Sequence, residues 1–139
     1  MPVHLLRPAL NGKLTVERFL TPEECQTIVD RVDGFDGIQF TKYSHDQGKP
    51  GDHYGPHKDT RLLADGTIRK LSFTIQLSDS ASYEGGDVVL YDSFTDFATL
   101  DRARGSISFF PSYTIHEVTP VSRGLRYSLV GWATGPSFA

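Results

Sequence analysis

The apolar residues of this chain keep two different periods. Between Thr21 and Gly34 they recur every three to four positions. Cys25, Ile28, Val29 and Val32 sit at i, i+3, i+4 and i+7, the stripe of a helix with one buried face. Both ends are marked. Thr21 is a good N-cap, Pro22 suits the first helical position, Glu24 completes a capping box, and Gly34 is a stop. Beyond this segment the period falls to two. Residues 69–78 alternate Leu71, Phe73, Ile75 and Leu77 with Ser72, Thr74, Gln76 and Ser78, which predicts a strand. Further short strands are predicted over 38–43, 87–92, 105–110, 115–120 and 125–133, separated by turn-rich pieces such as YEGG, PSYT and VSRG. One helix followed by many short strands predicts a mainly β fold with an N-terminal helix, a sandwich or barrel whose helix packs on a sheet.

Composition narrows the class. The chain has 139 residues with no repeat, low-complexity tract or linker, so a single domain over 1–139 is expected. Apolar residues make up 38% and charged residues 22%, the balance of an ordinary globular protein. A net charge of −3 without a dense Lys/Arg run lacks the footprint of a nucleic-acid binder. Cys25 is the one cysteine and cannot form an internal disulfide, which fits a reducing compartment. The opening MPVHLLRPALNGK is broken by Pro8 and too short for a signal peptide, and no apolar run reaches membrane-spanning length. A soluble, cytoplasmic protein follows as the expectation, with no nucleic-acid or membrane partner.

The chemistry gathers around HYGPHKDT, residues 53–60. On an extended strand His57 and Asp59 point to one side and Lys58 to the other. Two donors do not make a metal site, and His116, on a later predicted strand, can supply a third. Two histidines and one carboxylate are the facial set of non-haem Fe(II) oxygenases; zinc accepts the same donors. His4, His45 and His53 read as bland, solvated positions. Arg126 follows His116 by ten residues, and a hairpin across PVSRG would set the two strands side by side. Arg126, Ser128, Val130 and Trp132 share one face of the second strand. Turned inward, Arg126 is a buried cation that needs an anion, and its fork suits a carboxylate. Turned outward, it leaves Tyr127 and Leu129 inside, and period two alone does not choose. No G-x-S-x-G elbow and no H-E-x-x-H helix occurs, so serine and zinc-peptidase chemistry are not indicated. Tyr83, Tyr91, Phe109, Phe110 and Trp132 read mainly as packing aromatics.

The ordered set HYGPHKDT, RKLSFTIQLSDSASYEGGDVVLY and GSISFFPSYTIHEVTPVSRGLRYSLVGW covers roughly residues 38–133. It resembles the 2-oxoglutarate- and Fe(II)-dependent oxygenases of the prolyl 4-hydroxylase type, especially the microbial and phage-like hydroxylases. The resemblance implies a double-stranded β-helix, or jelly roll. It implies that His57, Asp59 and His116 hold Fe(II), with no catalytic residue beyond these ligands. Arg126 would bind the C5 carboxylate of 2-oxoglutarate, with Tyr43 and Ser128, and more weakly Thr74, in the same pocket. The implied reaction is hydroxylation of an unactivated C–H, first of all on a prolyl residue in a peptide or protein, coupled to decarboxylation of 2-oxoglutarate to succinate and CO2. The cofactors are then Fe(II), 2-oxoglutarate and O2, with ascorbate as an optional addition. Asp59 favours hydroxylation, since related halogenases lack that carboxylate. One departure is Gln76, near where several prolyl hydroxylases carry a pocket tyrosine. Gly85 and Gly86 read as turn chemistry. The alternatives are a non-catalytic metal-binding jelly roll and an oxygenase acting on a free amino acid or other small molecule. Loops 44–56, 60–68 and 92–104 are the expected substrate rim.

Overall fold

The computed structural model describes residues 7–8, 14–31, 38–45, 51–91 and 97–136. Helix α1 runs Pro22–Arg31. The capping box closes in both directions: Thr21 N donates to Glu24 Oε2 at 2.9 Å, and Glu24 N donates to Thr21 Oγ1 at 3.1 Å. Two orphan amides of the first turn are thereby satisfied. The buried face is led by Cys25, which packs with Ile75, Leu77, Ile107 and Leu129, while Val29, Phe40 and Tyr127 close around them. Val32 and Gly34, the expected end of the stripe and stop of the helix, lie outside the described residues, as does His4. Among the described residues no helix is long and apolar enough to cross a membrane.

The strands are β1 (Arg7–Pro8), β2 (Leu14–Val16), β3 (Ile38–Ser44), β4 (Tyr54–His57), β5 (Ile68–Gln76), β6 (Tyr83–Gly85), β7 (Val88–Tyr91), β8 (Phe97–Thr99), β9 (Ile107–Pro111), β10 (Ile115–Val118) and β11 (Val121–Gly135). They form two antiparallel sheets. The larger has seven strands in the order β1-β2-β9-β5-β11-β3, with β6 pairing on β11; the smaller runs β4-β10-β7-β8. Helix α1 covers the outer face of the larger sheet, and the inner faces of both sheets enclose one cavity. This is the jelly-roll arrangement, a double-stranded β-helix with one helix packed outside it.

Two features depart from simple alternation. On β5 both faces are covered: Ile75 is buried under the helix, while Ser72, Thr74 and Gln76 are buried on the side of the cavity. The polar face of this strand is therefore an interior face. The expected hairpin between the strands of His116 and Arg126 does not form. Strand β10 pairs with β4 and β7, whereas β11 pairs with β3, β5 and β6. The chain changes sheets at Thr119–Pro120, where proline has no N–H to continue a ladder. The piece read as a turn, Val121–Gly124, is the start of β11. It bends at Gly124, whose φ of +75° and close approach to the Ser82 carbonyl suit only glycine. His116 and Arg126 thus belong to opposite sheets and reach one cavity from two sides.

Candidate functional site

Register brings the two histidines together. Strands β4 and β10 are antiparallel with His57 opposite His116, and their ring centroids lie 4.2 Å apart. Asp59 stands two residues past His57, its amide donating to the Ser112 carbonyl at 2.9 Å. One donor atom from each of His57, Asp59 and His116 falls within 4.8 Å of the others. Both imidazoles are oriented by backbone: Nδ1 of His57 lies 2.7 Å from the Gly55 carbonyl, and Nδ1 of His116 lies 2.9 Å from the Thr114 carbonyl. A carbonyl only accepts, so each Nδ1 donates its proton there and each Nε2 is the ring atom left to face Asp59. Those two Nε2 atoms approach Asp59 Oδ1 at 3.4 and 3.3 Å.

The other carboxylate oxygen is occupied. Asp59 Oδ2 accepts from Ser72 Oγ at 2.6 Å and from Trp132 Nε1 at 3.1 Å. Burial alone would push the Asp59 carboxyl up. The hydrogen bonds from His116, Ser72 and Trp132 and the nearby His116 outweigh it and hold the group well below the usual carboxylate range. Asp59 is thus fixed as an anion with one oxygen held and one aimed between the two imidazole Nε2 atoms. Outer-shell bonds of this kind orient metal ligands, and the donor chemistry fits a divalent transition metal with open positions.

Arg126 lies deeper in the same cavity and is 2% exposed. Its Nη2 donates to Gln76 Oε1 at 3.0 Å, while its buried Nε has no hydrogen-bond partner. Burial depresses its pKa, and the Tyr83 and Tyr43 oxygens act against that depression. Among the described residues it makes no ion pair. Tyr43 is its neighbour on β3, the guanidinium carbon 5.5 Å from that ring, and burial raises the Tyr43 pKa. Ser128 is buried beside them and shares a short hydroxyl–hydroxyl bond with Thr41. Gly86 approaches from outside: with φ +63°, an added Cβ would come 3.0 Å from Arg126 Cδ and from Val121 Cγ2. A buried guanidinium with an orphaned Nε, in a cavity of about 260 Å³, fits the carboxylate of a small acid.

The cavity gathers His57, Asp59, His116, Arg126, Tyr43, Ser128 and Thr74, all singled out by sequence. His45 is exposed, and His53 is exposed with Nδ1 3.1 Å from the Gly51 carbonyl; both stay outside the cavity lining. Parts of two expected rim loops, 46–50 and 92–96, lie outside the described residues. Ser72 was missed because an alternating serine carries no chemical signal of its own. Trp132 reads mainly as packing in the sequence, yet its indole holds the Asp59 carboxylate. Its place on the alternation of Arg126, Ser128 and Val130 was the available clue.

Comparison with known proteins adds to this geometry. The family model described as the 2OG-Fe(II) oxygenase superfamily matches residues 38–134. A PKHD-type hydroxylase of Synechococcus elongatus is 40% identical over 98 residues, covering 68% of this chain and 41% of that protein. The chain spans between about a third and a half of the curated relatives it matches, 36% to 51%. Among solved structures, a Pseudomonas putida prolyl-4-hydroxylase superposes with TM-score 0.63 at 20% identity, over 88% of each chain. The viral collagen prolyl hydroxylase of Paramecium Bursaria Chlorella virus-1, in its 2OG complex, gives TM-score 0.63 at 16% identity, over 90% of this chain and 96% of that one. At those identities the structural matches establish the shared jelly roll.

Proposed function

The chain belongs to the 2OG-Fe(II) oxygenase superfamily, and from that premise we propose that it is a hydroxylase acting as a single domain over 1–139, with its core at about 38–133. In this reading His57, Asp59 and His116 hold Fe(II). Arg126 receives the distal carboxylate of 2-oxoglutarate, with Tyr43 and Ser128 beside it. The target is an unactivated C–H, first of all on a peptidyl proline, the substrate class to which the names of the structural neighbours point.

One observation carries the reading: a buried guanidinium, without an ion pair among the described residues, shares a small cavity with three convergent groups able to hold a metal. A jelly roll that only bound metal would leave Arg126 buried and uncompensated, which is costly. A dicarboxylate that meets both the metal and Arg126 removes that cost.

Bound Fe(II) and 2-oxoglutarate would supply the oxidation, coupling decarboxylation to succinate and CO2 with transfer of one oxygen atom from O2 to the substrate carbon. The protein's share is positional. The Gly55 and Thr114 carbonyls hold the two imidazoles with Nε2 inward. Ser72 and Trp132 restrain the Asp59 carboxylate. Gln76 steadies Arg126 at the closed end of the cavity. Three protein donors would leave part of a bound metal's shell open to other ligands.

The test is turnover. Wild-type protein with Fe(II), 2-oxoglutarate, ascorbate and air should release succinate, and a proline-rich peptide should return one oxygen atom heavier. Asp59→Ala should abolish both. No succinate from folded, iron-loaded wild-type protein contradicts the proposal.

A further inference from the structure

The cavity carries two more guanidinium groups, Arg61 and Arg69. They are held as a pair. Residues 61–69 fold back on themselves, with Arg69 N donating to the Arg61 carbonyl at 3.2 Å, Leu63 N to Thr67 O at 2.8 Å, and Leu62 bridged to Ile68. Asp65 ties the tip by accepting from Thr67 N at 3.0 Å. Arg69 then lies over Trp132, its guanidinium carbon 3.6 Å from the ring centroid. The same indole donates to Asp59, so Arg69 stands one side chain away from the metal donors.

Among the described residues these charges have no bonded counterpart: neither Arg61 nor Arg69 forms an ion pair. Asp59, the acid whose charge acts on Arg69, has one oxygen held by Ser72 and Trp132 and the other aimed at the histidines. Burial lowers the Arg69 pKa, Asp59 acts against it, and the like charge of Arg61 lowers it further. In the loaded site the charges of Asp59 and the cosubstrate dianion would together balance those of a divalent metal and Arg126. Arg61 and Arg69 remain. Two paired forks at a concave mouth bind an oxyanion well, and the field there concentrates anions. The chain as a whole carries net charge −3 and no basic run, so the fit is to one oxyanion and not to a polyphosphate backbone.

We propose that Arg61 and Arg69 form an oxyanion subsite at the mouth of the cavity, and that the peptide substrate carries a carboxylate or phosphate beside the residue to be hydroxylated. The subsite rests on the oxygenase reading for its role, but its binding has an independent reporter. Trp132 is the only tryptophan of the chain and lies under Arg69.

The experiment titrates Trp132 fluorescence, without oxygen, with three end-blocked peptides that differ at one neighbour of a central proline: Glu, Gln or phosphoserine. The Glu or the phosphoserine peptide should bind at least about tenfold more tightly than the Gln peptide, the scale of a charge-assisted fork. The tighter of the two names the source of the oxyanion. Arg61→Gln should erase most of the preference, and Arg69→Lys, which keeps the charge, should retain part of it. Equal binding of all three peptides, no binding by any, or a preference unchanged in Arg61→Gln overturns the subsite. In parallel, the visible band of wild-type protein with Fe(II) and 2-oxoglutarate is recorded. Band present with no oxyanion preference sinks the subsite alone; preference present with no band keeps the subsite and sinks the oxygenase reading.

Discussion

At the scale of single residues, the account turns on groups that touch nothing reactive themselves. Ser72 fixes one oxygen of Asp59 from a strand face on which Thr74 and Gln76 are its buried neighbours. Removing such an outer-shell bond typically weakens a metal site by about 10–100-fold. Ser72→Ala should therefore lower Fe(II) affinity by roughly tenfold or more while the protein stays folded. Titration against a coloured chelator measures it, and unchanged affinity would remove Ser72 from the design. Gly86 acts on the other end of the cavity. A methyl there strains a positive φ and presses on Arg126 and Val121. Gly86→Ala should raise the 2-oxoglutarate dissociation constant several-fold and leave metal binding in place, as calorimetry on manganese-loaded protein can show. The glycine was readable in the sequence as a turn residue. Its contact with Arg126 was not, because that contact joins positions forty residues apart.

At the scale of elements, local signals were strong and layer assignment was weak. The capping box of α1 and the alternation of β5 are visible in the sequence because neighbouring residues carry them. Which face of β5 meets the helix and which lines the cavity is decided by the whole sandwich. The ten residues from His116 to Arg126 suggested a hairpin. Pro120 instead marks the passage between sheets, and the two strands face each other across the cavity. Separate roles for the two layers lead to a prediction. Loss of the cap in Thr21→Ala should cost about 1 kcal/mol, seen as a lower Tm. Cosubstrate affinity should not move, since α1 packs on the outer face of the larger sheet. A matching loss of 2-oxoglutarate binding would show that helix and cavity are coupled.

At the scale of the whole molecule, two sheets hold complementary halves of one cavity: the proposed metal donors His57 and His116 on the smaller, and Arg126, Tyr43 and Ser128 on the larger. The sequence revealed both halves because their residue types are chemically unusual for strands. It could not reveal that they meet across a sandwich, since pairing between sheets leaves no periodic trace. A ligand that bridges the halves should stabilise both. With metal bound, 2-oxoglutarate at a hundredfold excess over its dissociation constant should add about 2.7 kcal/mol of stability and raise Tm by several degrees. Succinate, the product of the proposed reaction, should add less. The central claim is that metal donors and buried guanidinium act on one ligand, and one spectrum tests it most directly. Fe(II) and then 2-oxoglutarate are added without oxygen to metal-free protein. The account predicts a weak visible charge-transfer band that needs both additions, disappears in His116→Ala, and requires far more 2-oxoglutarate in Arg126→Ala. Folded wild-type protein that gives no band, or a band indifferent to both substitutions, would contradict it.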